Sequence, residues 1–585
     1  MSRRKRSSTP SARLRSLKKE LQETIQSVKK TSYSTPLQLI IIACYLNRLH
    51  FIDQVNNIVE WDETQWKYSP GVLAQLLVLL PFVSALRKIP LSRIHESYSG
   101  IDLELLVGEA IDPADLNDDL FGRVLDRIYD ADCSKLFLSI SLSVRLTFDL
   151  SENWILHSDT TSHVLYGDYI PDDGYVPPLT ITYGYSKQKR NDLKQIQTGM
   201  VTDGDGLILY CSPLDGNKAD CTYNNEVIIK LKQIFGPDFT KYIYIADSKL
   251  LTQPNFELLT TGDHPIRFIS RIPENFYKKI AGKIRVRAFA EDKWLHLGSC
   301  CDHPNARQSS KYSVYTTNVA IYGIHCFIHL YQTSDGEKKV QRAIEKGMNS
   351  LNEALSILQK KEFACEPDAM AEANRFAKEF SSNLVYADLV ITKTESLKRP
   401  RGRPGKNSKP PVIVVSWKVS YRQILRNESN IEEKRQKAST FALLTNIPPE
   451  QLSSSEILLQ YKGQNKVEHN FMLLKEPLVA ATIFLEKPER IMALMTMLYF
   501  SVLMHGILRV IAHTELESLE EPPNINSNNR PLIRPNSDTL VWILSLFTMI
   551  SDDNQIYIEA KMTDRMDQIG LILQLVRFDT EFIGV

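Results

Sequence analysis

In the segment Tyr461-Lys-Gly-Gln464-Asn-Lys-Val-Glu468-His-Asn-Phe-Met-Leu-Leu-Lys475, four functional side chains fall at offsets 0, 3, 7 and 14. On one continuous α-helix, Tyr461, Gln464, Glu468 and Lys475 share an arc of about 60°. Glu468 and Lys475 then stand two turns apart, about 10 Å along the axis. Val467, Phe471 and Leu474 form a separate apolar stripe roughly 100° away, so the spacing predicts a packed helix with Glu468 on its shoulder. A solvated Glu on an amphipathic helix is the ordinary reading of such a residue. Two carboxylates upstream change it.

The first lies in Trp154-Ile-Leu-His-Ser-Asp159-Thr-Thr-Ser, an apolar strand running into an acid and small hydroxyl residues. The second closes Lys241-Tyr-Ile-Tyr-Ile-Ala-Asp247, a strand of buried type. Between them, short strands over 164–169, 179–183, 198–201 and 207–210 and a helix over 226–235 predict an α/β core that presents Asp159 and Asp247 on one edge of its sheet. Clustered carboxylates repel unless a cation neutralises them, and hard divalent ions such as Mg²⁺ take such oxygen ligands. Cations held in this way assist phosphodiester chemistry. With 69 acidic residues in the chain, composition alone cannot single out three.

The same residues resemble a known family. Tyr461-x₂-Gln464-x₃-Glu468-x₆-Lys475 resembles the Y-x₂-R-x₃-E-x₆-K signature of DDE transposases of bacterial insertion sequences. His157-Ser-Asp159-Thr-Thr-Ser is similar to the segment around that family's first catalytic Asp, and Ile245-Ala-Asp247-Ser to the strand with the second. Gly184-Tyr-Ser-Lys-Gln-Lys-Arg-Asn-Asp-Leu-Lys-Gln195 resembles a basic stretch that follows the first Asp. Leu116-Asn-Asp-Asp-Leu-Phe-Gly-Arg-Val-Leu-Asp126 resembles the helical domain ahead of the core in one branch of the family.

The resemblance implies an RNase H-like core interrupted by an insertion domain and preceded by a mainly helical N-terminal domain. The 221 positions between Asp247 and Glu468 leave room for such an insertion. It also implies that Asp159, Asp247 and Glu468 hold Mg²⁺, with Mn²⁺ as a substitute. The implied reaction is cleavage at element ends followed by attack of the freed 3′-hydroxyl on target DNA. Tyr461 and Lys475 then contact DNA. Gln464 stands where the family has Arg, so one contact keeps its hydrogen bond and loses its charge. The implied partner is double-stranded DNA, as terminal inverted repeats and as target, bound by a homodimer. A nuclease on the same fold and an inactive DNA-binding descendant are the rival readings.

Composition constrains the rest. The apolar and charged fractions, 43% and 24%, are those of an ordinary globular protein. Net charge is +1, which excludes a polycation and confines nucleic-acid affinity to local patches. Eight cysteines show no framework spacing and read as reduced thiols of a cytoplasmic, DNA-associated protein. Cys300-Cys301-Asp302-His303 lacks a second ligand pair for zinc. The N-terminus is charged, with no apolar signal core. Ile491 to Leu508 is apolar enough to raise a membrane span, but it contains Thr496, Ser501 and His505 and reads as a buried core helix.

The expected domains are a basic arm (1–30), a helical domain (31–148), the first part of the core (149–270), the insertion (271–440), the second part (441–515) and a helical tail (516–585). The arm carries ten Lys/Arg against two Glu. Residues 338–381 read as one long charged helical region, 441–446 as the strand that returns the chain to the core, and 540–550 and 569–578 as closing helices. Within the insertion, Pro400-Arg401-Gly-Arg403-Pro404 looks like the core of an AT-hook, with both arginines suited to a narrow minor groove. Lys187, Lys189 and Arg190 read as phosphate contacts. His157 reads as a packed residue, and Asp203 and Asp205 as hairpin-turn residues.

Overall fold

The computed structural model describes residues 33–83, 91–171, 173–262, 264–300, 310–334, 336–381, 383–398, 412–475, 485–525, 531–551, 556–561 and 568–578. The basic arm, Arg401, Arg403 and residues 301–303 lie outside this set. The chain forms two units. One runs to Leu250 and takes in Thr261–Ile266 and the chain from Lys462 onward; the other comprises Leu251–Thr260 and Arg267–Tyr461.

The first unit contributes four neighbouring sheet strands that bear on the site: β1 (Ile155–Leu165), β2 (Lys194–Asp203), β3 (Ile208–Leu214) and β4 (Ile243–Ala246), with α1 (Asp220–Phe235) linking β3 to β4. β1 pairs antiparallel with β2 and parallel with β4, and β3 lies outside β2. The strands expected at 164–169 and 179–183 do not form as such. β1 ends at Leu165, and the second stretch contributes a single bridge from Thr182 to Gln195. Pro177 and Pro178, just upstream, have no amide hydrogen to donate to a ladder.

Two further helices complete the site's surroundings: α2 (Asn465–Lys475) and α3 (Pro488–Ser518). α3 is apolar on nearly every side, and such a helix must be covered all round. N-terminal helices supply part of that cover. Phe500 meets Phe51 and Phe137, and Ser501 Oγ donates to the Val78 carbonyl at 2.8 Å. α3 has the length and apolarity to cross a membrane, yet its apolar window is buried within this unit. Helix Asp118–Asp130 starts where its sequence says: Asn117 Oδ1 accepts from the Leu120 amide at 3.0 Å.

The tail departs from expectation. Ser537–Leu544 is helical, but Phe547–Ser551 is a strand paired with Tyr33–Pro36 and Ile556–Ala560. Phe547 and Met549 are buried while the residues between are not, a period of two that no helix can use. Ile569–Leu575 is helical.

The second unit contributes five strands, each antiparallel to the next. Thr440–Thr445 pairs with Arg267–Arg271 on one side and Ile324–Thr333 on the other, followed outward by Lys311–Ile321 and Leu295–Ser299. Thr440–Thr445, the strand expected at 441–446, forms where the sequence places it. It is apolar and needs a partner on each edge, and its own unit provides both. The long helical region is two helices, Gly336–Leu358 and Glu366–Phe380. They pack on a two-stranded ribbon, Val385–Lys398 with Val412–Arg426, through Val340, Ile344, Leu351, Phe376 and Val419.

Gly199 of β2 sits opposite Thr160, and a Cβ there would lie 2.1 Å from the Tyr223 ring of α1. Gly199→Ala is expected to cost about 1–3 kcal/mol by pushing the buried Tyr223 off the sheet. Chemical denaturation followed by fluorescence measures it; an unchanged midpoint would contradict this packing.

Candidate active site

β1 and β4 run parallel in the register Ile155 with Ile243 through Ser158 with Ala246. Asp159 follows Ser158 within β1 and Asp247 is the first residue after β4, so the backbone positions that bear the two acids are neighbours at a strand spacing of about 4.8 Å. Alternation then separates the two faces of β1. Thr160 faces α1, where its hydroxyl donates to Asp220 Oδ1 at 2.5 Å. Asp159 shares the other face with His163, which bonds Thr198 at 3.0 Å; Thr198 in turn bonds the Tyr499 hydroxyl of α3 at 2.9 Å. That face is the one α2 packs on.

α2 is not one continuous helix with the residues before it. The preceding helix, Ser454–Lys462, ends at a turn over Gly463 and Gln464, and α2 starts at Asn465. The Lys466 and Val467 amides donate to the Gly463 and Gln464 carbonyls at 3.0 and 3.1 Å. The 60° arc therefore breaks: Tyr461 belongs to the second unit and Gln464 to the turn. Glu468 and Lys475 keep their alignment on α2, and Val467, Phe471 and Leu474 are buried as their spacing implies.

The β2–β3 turn seats α2. Lys466 donates to the Gly204 carbonyl, and Asn470 Nδ2 to the Gly206 carbonyl at 2.9 Å. Arg509 of α3 bonds the Asp205 carbonyl at 2.5 Å. The turn itself is stiff. Asp203 Oδ1 accepts from the amides of Asp205 and Leu207 at 2.9 and 3.0 Å. Arg145 reaches Asp203 Oδ2 through Nε at 2.9 Å and Asp205 Oδ2 through Nη2 at 2.7 Å. Asp203 and Asp205 are thus turn residues with an added task, holding the helix that bears Glu468.

Asp159, Thr160, Thr161, Lys187, Glu468, Phe471, Met472 and Lys475 line one open cleft. Asp159 is the perturbed group. Burial pushes its carboxyl up to about 6; Lys187 and the Thr160 amide, bonded at 2.7 Å, oppose the rise, and Asp247 and Asp220 add to it. Asp247 is also raised, by burial and by Asp220, against a 2.9 Å bond from the Lys249 amide. Lys475 is lowered by burial and by the nearby charge of Lys187. Glu468 is exposed on the cleft wall.

The basic stretch divides. Lys187 turns inward, its ammonium 2.6 Å from the Thr160 carbonyl, 3.0 Å from Thr160 Oγ1 and 3.6 Å from Asp159 Oδ1. Arg190 is paired with Asp192 at 2.7 Å, and Lys189 is exposed. His157 is buried beneath the site with burial holding its pKa down to about 3. Asp220 was missed from sequence: an acid in the first turn of a helix reads as a dipole partner, with no local sign of a distant Asp.

The donor chemistry fits a hard cation. Asp159 and Asp247 occupy neighbouring positions, both are raised by burial, and each is raised further by a neighbouring carboxylate, the electrostatic condition a divalent ion relieves. Among the described residues, no three acidic, His or Cys side chains stand at ligand distance from a common point. An acid whose folded pKa is raised loses stability as pH rises from its unfolded value near 4 through about 6. Asp159→Asn is therefore expected to raise stability by on the order of 2 kcal/mol at pH 7.5 without divalent ions, and not at pH 4. Melting curves at the two pH values test this; equal shifts at both would contradict it.

Residues 36–142 match the family described as "Domain of unknown function (DUF4277)". The match covers the N-terminal helices and stops short of β1. No curated protein matches the chain. Among solved structures it is similar to the cryo-EM structure of a piggyBac transposase synaptic complex with hairpin DNA. The TM-score is 0.37 at 9% identity, over 88% of this chain and 82% of that one.

Proposed function

We propose that the chain is a DNA transposase: a divalent-cation-dependent phosphoryl-transfer enzyme that cuts at insertion-sequence ends and joins them to target DNA. One observation carries the reading. Asp159 in β1 and Asp247 just past the end of the parallel strand β4 occupy neighbouring positions, and Asp159 lines the cleft whose wall bears Glu468 and Lys475. The central strand with an antiparallel neighbour on one side and a parallel one on the other supports an RNase H-like core.

Asp159, Asp247 and Glu468 would hold Mg²⁺ or Mn²⁺, which when bound neutralises the phosphate and assists displacement at phosphorus. The chain's own groups position the DNA. Lys475, which lines the same cleft as Asp159, binds a phosphate next to the scissile one. Gln464 and Tyr461 supply uncharged hydrogen bonds to the backbone, and Lys189 adds a surface charge. The Arg401-Gly-Arg403 segment connects the two strands of the exposed ribbon and reads A·T-rich minor groove. Two element ends require pairing, hence a homodimer.

The test is incubation of the full chain and Mg²⁺ with duplexes made from the DNA flanking its own coding region. Nicks leaving 3′-hydroxyls at inverted repeats, followed by joined products, are expected. Cleavage without joining would make it a nuclease; intact DNA would overturn the reading.

A further inference from the structure

Lys187 occupies an unusual position for a residue of a basic surface stretch. All three of its close acceptors are hard oxygens of the site: the Thr160 carbonyl, Thr160 Oγ1 and Asp159 Oδ1. These are the oxygen types that a small divalent cation takes. Thr160 can accept from Lys187 because its own hydroxyl proton is committed to Asp220. The ammonium thus neighbours the Asp159 carboxyl, which also feels the charges of Asp247 and Asp220, and it lies near a second ammonium, Lys475.

The loop around Lys187 does not depend on that ammonium. The Lys187 amide donates to Ser162 Oγ at 2.9 Å, the Ser186 amide to Asn191 Oδ1 at 3.2 Å, and the Arg190 amide to Ser186 Oγ at 3.3 Å. The side chain is 31% exposed, so its flexible stem can swing outward while the backbone stays.

We propose that the Lys187 ammonium is the resident counter-ion of the Asp159 carboxylate, and that a divalent cation displaces it, freeing it to take a DNA phosphate. This rests on reading the carboxylates as a cation site. It makes cation entry and DNA grip two halves of one exchange: the charge that leaves the carboxylates goes to the substrate. Lys475 lies on the same cleft and would share that phosphate.

The experiment is calorimetric titration of the full chain with Mn²⁺ alone, for wild type, Lys187→Met, Lys187→Arg and Asp159→Asn. Lys187→Met is expected to bind Mn²⁺ about tenfold more tightly than wild type, because the competing charge is gone, and Lys187→Arg no more tightly. In duplex binding with Mn²⁺, Lys187→Met is expected to lose about one phosphate contact from the salt slope. Equal or weaker Mn²⁺ binding by Lys187→Met, beside a clear loss in Asp159→Asn, would overturn the exchange alone. Equal Mn²⁺ binding by wild type and Asp159→Asn would overturn the cation site as well.

Discussion

Asp159→Asn and Asp247→Asn are each expected to lower strand cleavage by on the order of 10³-fold or more, with duplex affinity within about threefold of wild type. The reason is positional. β1 and the end of β4 bring Asp159 and Asp247 to neighbouring positions, where the proposed cation would be held by both. Asn keeps the volume and one oxygen but removes the charge that makes the site attract a cation. Asp220 is the nearest alternative acid, and its oxygen is engaged by Thr160. Binding is expected to survive because the groups proposed to touch DNA are cations and amides, and the lysines of the cleft keep their charge when Asp159 or Asp247 becomes Asn. Rates from denaturing gels, with affinities from anisotropy, separate the two effects. Cleavage within tenfold of wild type in either variant would remove that Asp from the centre.

The second large effect lies outside the cleft. Arg145→Met is expected to cost about 3–5 kcal/mol, because Asp203 is only 1% exposed and would be left buried without its ion partner. The loss reaches the site through the turn. Asp203 holds the loop whose carbonyls receive Lys466 and Asn470, so α2 loses its seat and Glu468 its position. Denaturant unfolding gives the stability change. Cleavage measured where the variant is still folded should fall as well. A fully stable Arg145→Met protein would show that the turn does not need the pair.

Much of the site's local structure could be read from the chain. The strands that lead to Asp159 and Asp247 announced themselves by apolar runs meeting an acid, although β1 runs on past Asp159 to Leu165, and the stripe of Val467, Phe471 and Leu474 foretold which side of α2 is buried. What failed was continuity. Gly463 and Gln464 break the helix that the periodic spacing had drawn through Tyr461, because a period test does not weigh a turn of two residues. Thr440–Thr445 forms where its apolar run lies, although an apolar strand states its need for two neighbours and not their identity. Phe547–Ser551 was taken for helix because five residues are too few to separate the two periods. Asp220, Arg145 and the inward turn of Lys187 are long-range contacts, and no local pattern encodes them.

The central claim is that α2 brings Glu468 to the two aspartates as the third acid of one centre. Cleavage of the element's own ends in Mg²⁺, compared between wild type and Glu468→Gln at matched DNA occupancy, tests it most directly. Loss of cleavage with unchanged DNA binding is the expected result. Glu468→Gln cutting at the wild-type rate would contradict it, leaving α2 as a packed helix with a solvated acid on its shoulder.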